Sequence, residues 1–167
     1  TPLGTEATET LASLRVCLDE IRRHGRSGLG SLIVSMTRRL SDLLIVYVLC
    51  REAGLVITDR KHLVCLMPVV PLFETKADLV LGPEIIQAFL KHPVTRSSQP
   101  YWDRSIDNTI GDTWLKEPIR PRLKRAPIQQ VMLGYSDSNK DCGIIASLWA
   151  VRRAQIHLAE IGRQLGV

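Results

Sequence analysis

The sequence has no long hydrophobic run and no recognisable export signal. Its longest purely apolar stretch, Leu43 to Cys50, is less than half of the roughly 20 residues that a membrane-spanning helix needs. The N-terminal segment lacks a basic stretch followed by an apolar one, so we expect no signal peptide. These two absences predict a cytoplasmic protein with no membrane partner. The chain starts at Thr1 rather than Met, which indicates an excised or processed piece.

The cysteines also lack any paired spacing. A disulfide framework or a zinc site usually has regular Cys-x-x-Cys pairs, and this chain has none. We therefore expect free, mostly buried thiols in a reducing, cytosolic setting. The residues concerned are Cys17, Cys50, Cys65 and Cys142.

Aromatic residues and acidic charge are both in short supply. With 45% hydrophobic and 23% charged residues, the 167-residue chain is predicted to form a single globular domain. Lys and Arg exceed Asp and Glu by 22 to 17, a net charge of +5, which fits small anionic substrates or weak attraction to polyanions. The basic cluster at residues 120–125 has no interleaved aromatic residues to stack on bases. A solvated loop is therefore preferred over a nucleic-acid interface.

Hydrophobic patterning predicts an α/β fold in which strands and helices alternate. A first helix is expected over Thr10–His24, with Gly25 as its stop. Three strand-helix units follow, and consecutive units of this kind imply parallel strands. The predicted strands are 31–36, 63–70 with Pro71 at its end, and 130–135; the helices are 41–54, capped by Ser41-Asp42, 76–90 and 143–165. Between the second and third units, residues 92–127 are rich in proline and predict a long, mostly exposed loop excursion.

Three charged residues follow the predicted strands and form the candidate site. Ligands of parallel α/β proteins gather beyond the carboxyl ends of the strands, where Glu74 and Asp137 both fall. Two carboxylates there suit Mg²⁺ or Mn²⁺, and Lys140 suits a phosphate. Each residue also has a simpler interpretation: Glu74 as a surface residue opening a helix, Asp137 as a turn residue bonded to its own backbone, and Lys140 as a solvated lysine.

Two segments in the expected order resemble the phosphoenolpyruvate carboxylase family. Residues 131–143 (VMLGYSDSNKDCG) resemble its strand and substrate loop, and residues 69–75 (VVPLFET) resemble its metal-binding segment. Further similarity covers most of the chain and is weakest at the first few residues and in the excursion. The additional matching segments are 32–37, 41–44, 51–55, 146–149 and 154–155.

The resemblance implies a fold, a reaction and three residue roles. The fold would be a partial (β/α)₈ TIM-type barrel, contributing about three parallel strand-helix units. Glu74 and Asp137 would bind Mg²⁺ or Mn²⁺, and Lys140 would lie at the phosphate and bicarbonate. The family carboxylates phosphoenolpyruvate with bicarbonate, through carboxyphosphate and an enolate, to give oxaloacetate and phosphate. It is an anaplerotic lyase that supplies the tricarboxylic acid cycle, and the full-length enzyme is expected to be a cytoplasmic homo-oligomer.

The chain also departs from the family pattern. The family's Phe-His-Gly-Arg-Gly-Gly segment and the upstream segment with the catalytic histidine are not within these 167 residues. We therefore expect a central fragment that is inactive alone and, because a partial barrel has unpaired edges, self-associates or is marginally stable. The alternative is a non-catalytic binding or interaction domain derived from the same fold. Nucleic-acid binding through residues 120–125 is a third, less favoured hypothesis.

Overall fold

The structure is a computed structural model that describes residues 4–25, 28–102 and 127–167. It is a mixed α/β fold with a small parallel sheet, a separate hairpin and helices around them. The elements in chain order are α1 (Thr5–His24), β1 (Leu32–Val34), α2 (Leu40–Ala53), β2 (Val56–Asp59), β3 (His62–Cys65), β4 (Val69–Phe73), α3 (Lys76–Lys91), α4 (Pro93–Ser98), a 3₁₀ turn (Gln99–Tyr101), β5 (Met132–Leu133), α5 (Tyr135–Cys142) and α6 (Ile144–Leu165).

The long helices form where the apolar spacing predicts them. In α1 the buried residues recur every three or four positions, and the Gly25 N–H closes the last turn on the Ile21 carbonyl. The helix begins at Thr5, five residues before the predicted start. Helix α3 begins at its Thr75 cap, where the hydroxyl accepts from the Asp78 N–H and the Asp78 carboxylate accepts from the Thr75 N–H. This reciprocal pair is a capping box, and it fixes the point where the chain leaves β4.

The sheet is parallel, as the alternating pattern predicts. Its order is β1-β4-β5, so β4 is central, and its residues are almost all buried. Leu32 pairs with Val69 on one side, and Phe73 pairs with Leu133 on the other. Among the described strands β1 and β5 each have one neighbour, so both are open edges in this part of the chain. A complete barrel would need more strands than these three.

The predicted single strand over residues 63–70 is wrong. Residues 62–65 instead pair antiparallel with β2, and a separate strand, β4, runs through Pro71 rather than ending there. Pro71 is the last residue of β4 that pairs with β1, and pairing with β5, on the other side of β4, begins only at Leu72. The missing N–H of the proline therefore lies just before the first residue pair between β4 and β5.

Two further predicted boundaries also need correction. Helix α2 begins at Leu40, so Ser41 is not its cap; the Asp42 carboxylate lies one turn in and accepts from the N–H groups of Arg38 and Arg39. The excursion is not mostly exposed at its start, because α4 and the turn after it pack against β3 and bury Tyr101 and Trp102. The rest of the excursion, including the basic cluster at 120–125, lies outside the described residues.

The core lies between the sheet and the helices. Helix α1 packs on α2, and α6 packs on both α3 and α5, around large fully buried side chains such as Phe73, Phe89 and Leu43. All four cysteines are free; Cys50 and Cys65 are buried and the other two partly so, as predicted. No helix in the described ranges combines the length and apolar character needed to cross a membrane.

Candidate functional site

The candidate site forms where β4 and β5 end side by side. Phe73 and Leu133 are paired in the parallel sheet, and the Gly134 N–H then donates to the Phe73 carbonyl at 2.7 Å. Glu74 follows β4 directly, and Asp137 lies in the first turn of the helix that follows β5. Because parallel strands end at the same edge of the sheet, the structure brings these two residues to one edge.

Gly134 allows the two strand ends to approach closely. A Cβ atom added there would lie 3.0 Å from the Cα of Glu74 and 3.2 Å from the Phe73 carbonyl oxygen. Both neighbours are backbone atoms, so they cannot rotate away as a side chain would. A glycine at this position therefore lets α5 begin directly beside Glu74.

The Glu74 side chain is held by the loop that follows β1. Its Oε2 accepts hydrogen bonds from the Ser35 hydroxyl at 2.9 Å and from the Met36 N–H at 2.6 Å. Met36 has a left-handed backbone, with φ of 53°, which is uncommon for a residue other than glycine. The other carboxylate oxygen, Oε1, has no hydrogen-bond partner within the described residues. Thus one oxygen is fixed and one remains available.

Asp137 and Lys140 lie on a short helix where a loop was predicted. Residues 135–142 form α5, so these two side chains, three positions apart, are neighbours on one helix face. Both are exposed, and neither forms a hydrogen bond or ion pair with another described residue. A carboxylate and an ammonium group are therefore presented together to solvent just beyond the strand ends.

Asp141 orients this helix toward the Glu74 segment. Its carboxylate accepts a hydrogen bond of 2.9 Å from the Lys76 N–H, the first free amide of α3. Asp141 lies one turn after Asp137, so the two project from the same side of α5. Since Lys76 is two residues beyond Glu74, the side of α5 that carries Asp137 is the side that meets the end of β4.

A buried hydroxyl pair joins α5 to the long helix α6. The Ser138 and Ser147 hydroxyls are 2.5 Å apart and fully buried, and Ser138 also donates to the Gly134 carbonyl at 2.6 Å. Ser138 therefore links the start of α5, its own turn and the next helix. The orientation of Asp137 depends on this packing, although Ser138 itself faces away from solvent.

The contacts bear on the simpler interpretations of the site residues. Glu74 directly precedes α3, whose cap is formed by Thr75 and Asp78, and its side-chain hydrogen bonds cross to the β1 loop. Asp137 does not bond its own backbone. The exposed position of Lys140 fits either interpretation. Sequence reasoning did not identify Ser35, Met36 or Asp141 as part of the site, because their contacts join segments that are far apart in the chain.

The donor set fits a divalent cation shared with a substrate rather than one caged by protein. In the described ranges, no group of three or more His, Cys, Asp or Glu side chains is placed to hold a metal ion. Mg²⁺ commonly binds through one or two carboxylates, with waters and substrate phosphate oxygens filling the other positions. Glu74 and Asp137 at one sheet edge, with Lys140 beside them, match that pattern.

A separate cavity of about 580 Å³ lies between α3, β5 and α6. Its lining is largely apolar, including Ile86, Leu90 and Leu158, and it contains none of the three candidate site residues. Charge and convergent polar groups therefore favour the strand ends, not this cavity, as the site of chemistry.

The fold and the site define an α/β protein with an acidic and basic site beyond the carboxyl ends of parallel strands. A model of the phosphoenolpyruvate carboxylase family matches residues 1–167, the whole chain. The chain therefore belongs to the phosphoenolpyruvate carboxylase family.

Individual relatives agree with that assignment. The phosphoenolpyruvate carboxylase of Methylorubrum extorquens is 36% identical over 165 residues, which cover 99% of this chain and 15% of the relative. That of Mycobacterium avium is 35% identical over 165 residues, with the same coverage. That of Xanthomonas campestris pv. campestris is 42% identical over 149 residues, 89% of this chain and 14% of the relative. The chain thus spans about 15% of the length of the curated relatives it matches.

Proposed function

We propose that this chain forms the metal- and phosphate-binding part of a phosphoenolpyruvate carboxylase, which converts phosphoenolpyruvate and bicarbonate to oxaloacetate and phosphate. Glu74 and Asp137 hold Mg²⁺ or Mn²⁺, and Lys140 faces the substrate phosphate and bicarbonate. The bound cation neutralises negative charge that develops on phosphoryl and enolate oxygens. The family assignment supports the reaction, and the strand-end geometry supports the choice of residues.

Each residue has a distinct electrostatic task in this proposal. Glu74 offers its Oε1, while Ser35 and Met36 hold Oε2. Lys140 supplies a compact positive charge that draws two anions to one place and stays beside them as charge moves. Its position one turn after Asp137 keeps the cationic and acidic groups close without a direct ion pair.

The β4–β5 register is the observation that carries the proposal. Pairing of Phe73 with Leu133, followed by the Gly134 to Phe73 hydrogen bond, brings residues more than sixty positions apart to the same sheet edge. The Asp141 to Lys76 contact supports the same arrangement from the helix side.

The proposal extends to the whole enzyme. The parallel sheet is taken as part of a (β/α)₈ barrel completed by the remaining segments of a full family member, which is a cytoplasmic homo-oligomer. Because the chain spans about 15% of its relatives, it is expected to bind the cation and substrate weakly and to be inactive by itself. Oxaloacetate formation by the purified 167-residue chain would contradict that expectation.

Titration of Mn²⁺ into the chain, followed by electron paramagnetic resonance of the free ion, tests the ligands. Removing a hydrogen-bond partner of a metal ligand typically lowers metal affinity about 10- to 100-fold, so removing the ligand itself should lower it at least as much. Glu74→Gln and Asp137→Asn should each weaken Mn²⁺ binding by more than about tenfold. Glu84→Gln, which changes an exposed residue of α3, is the matched control and should have no effect.

Lys140→Gln distinguishes substrate binding from metal binding. It should leave Mn²⁺ binding intact but weaken phosphoenolpyruvate binding about tenfold, the size expected for a charge-assisted hydrogen bond.

Activity is tested in a chimera in which this chain replaces the matching segment of the Methylorubrum extorquens relative. The chimera should form oxaloacetate, and its Glu74→Gln variant should not. Equal Mn²⁺ binding by the wild type and both acidic variants would refute the metal role and favour an interaction domain.

A further inference from the structure

We infer that Ser35, together with the Met36 amide, is a positioning device for Glu74. The Ser35 hydroxyl and the Met36 N–H both donate to a single oxygen of Glu74, at 2.9 and 2.6 Å. The inference rests on the proposed metal role of Glu74. It adds residues from a third strand end, that of β1, to a site whose charged groups all follow β4 and β5.

The geometry shows why two donors to one oxygen matter. A glutamate side chain has three rotatable bonds, and a partly exposed one samples several rotamers. Two donors on Oε2 restrict the carboxylate to one orientation and leave Oε1 without a partner in the described part of the chain. A ligand oriented before the cation arrives loses less conformational freedom on binding, so its affinity is higher.

The backbone around these donors is itself held in place. Met36 lies in the turn that follows β1, where it has a left-handed backbone and donates its N–H to Glu74 Oε2. The next residue, Thr37, is fully buried; its N–H donates to the Leu72 carbonyl of β4 at 3.2 Å, and its hydroxyl donates to the Val34 carbonyl at 2.7 Å. The loop is therefore fastened to the strand that carries Glu74, so the donors and the acceptor move as one unit.

The first test measures Mn²⁺ affinity of the 167-residue chain. Ser35→Ala should weaken binding by about tenfold, the lower end for loss of an outer contact to a metal ligand. Ser35→Thr keeps the hydroxyl and should restore most of the affinity. Ser31→Ala removes a serine hydroxyl from the other end of β1, where it contacts Gln130, and should have no effect. Ser35→Ala with wild-type affinity, or Ser35→Thr as weak as Ser35→Ala, would overturn the inference.

The second test needs no metal. Amide hydrogen exchange by NMR should show the Met36 N–H exchanging at least about tenfold faster in Glu74→Ala, because its charged acceptor is gone. The Thr37 N–H, bonded to Leu72, is the internal control and should be unchanged. Unchanged Met36 exchange, or equal acceleration of both amides, would refute the positioning role.

These tests separate failure of the inference from failure of the proposed function. If Glu74→Gln weakens Mn²⁺ binding and Ser35→Ala does not, Glu74 is a ligand that needs no help from the β1 loop. If neither variant changes Mn²⁺ binding, the metal role of Glu74 itself is wrong. In that case the exchange experiment still decides whether the loop orients the Glu74 carboxylate.

Discussion

Replacing Gly134 by alanine should force apart the ends of β4 and β5. The added methyl would lie 3.0 Å from the Glu74 Cα and 3.2 Å from the Phe73 oxygen, whereas carbon contacts are normally about 3.5–4.0 Å. Overpacking of this kind costs about 1–3 kcal/mol. The Gly134 φ of −81° is accessible to alanine, and the lower conformational entropy of the unfolded Gly134→Ala chain offsets about 0.4–1 kcal/mol of this cost. Taking the midpoints of the two ranges, about 2 and about 0.7 kcal/mol, the expected net loss of stability is about 1.3 kcal/mol.

Urea denaturation followed by circular dichroism measures this loss. Gly30→Ala is the matched control, because nothing lies within 4 Å of a Cβ there, and it should stay within about 0.5 kcal/mol of the wild type. Gly134→Ala should also weaken Mn²⁺ binding, because it moves α5 relative to Glu74. If Gly134→Ala were as stable as the wild type, the close approach of the two strand ends would not constrain this site.

Two further predictions concern buried polar groups. Ser138→Ala should destabilise the protein by about 1–3 kcal/mol by leaving the Ser147 hydroxyl buried and unpaired, and the double variant with Ser147→Ala should lose less than the two single losses added together; strict additivity in urea melts would refute this coupling. Burial, reinforced by its bond to Asp59, raises the pKa of Tyr101 to about 12. The stabilisation that the protonated Tyr101 hydroxyl contributes is therefore complete below about pH 10, the pKa of tyrosine in the unfolded chain, and is lost as the pH rises through about 12. Tyr101→Phe should flatten stability against pH in that window, and identical slopes for both proteins would contradict the assignment.

The helices were predictable because their signals are local. Apolar spacing and a glycine stop located the end of α1. Similar periodicity located both ends of α3 and of α6 to within one residue. The parallel order of the strands followed from the alternation of elements, which is a rule about connections rather than about any one residue. Such features depend on neighbours in sequence and can be seen without the fold.

The hairpin was missed because its turn carries no familiar signal. Arg60 and Lys61 connect β2 to β3 with positive φ values of 46° and 75°, a conformation usually given to Asn-Gly or Gly-rich pairs. Without that signal the apolar run from residue 63 to 70 looks like one strand. Helix α5 was missed for a related reason, since Ser, Asp and Asn favour turns when local propensity alone is considered.

The placement of Glu74 and Asp137 at one sheet edge was predictable from strand ends, but the contacts around them were not. Glu74 and Asp137 follow apolar strand segments, and a parallel sheet brings such positions to one edge. The contact of Glu74 with Ser35 spans 39 positions, and that of Asp141 with Lys76 spans 65. No local pattern reports a pairing of that kind, because it depends on which strand lies beside which.

The same long-range pairing explains how the two halves of the candidate site meet despite the long connection between them. Residues 92–131 separate α3 from β5, yet the positions of Glu74 and Asp137 are set after the chain returns, by the Phe73–Leu133 pairing and by the Gly134 and Asp141 hydrogen bonds. Closing a longer loop costs only about 0.6 kcal/mol for each doubling of its length. The length of the excursion therefore affects stability slightly, whereas a single methyl at Gly134 acts directly on the contact that brings the two acidic segments together.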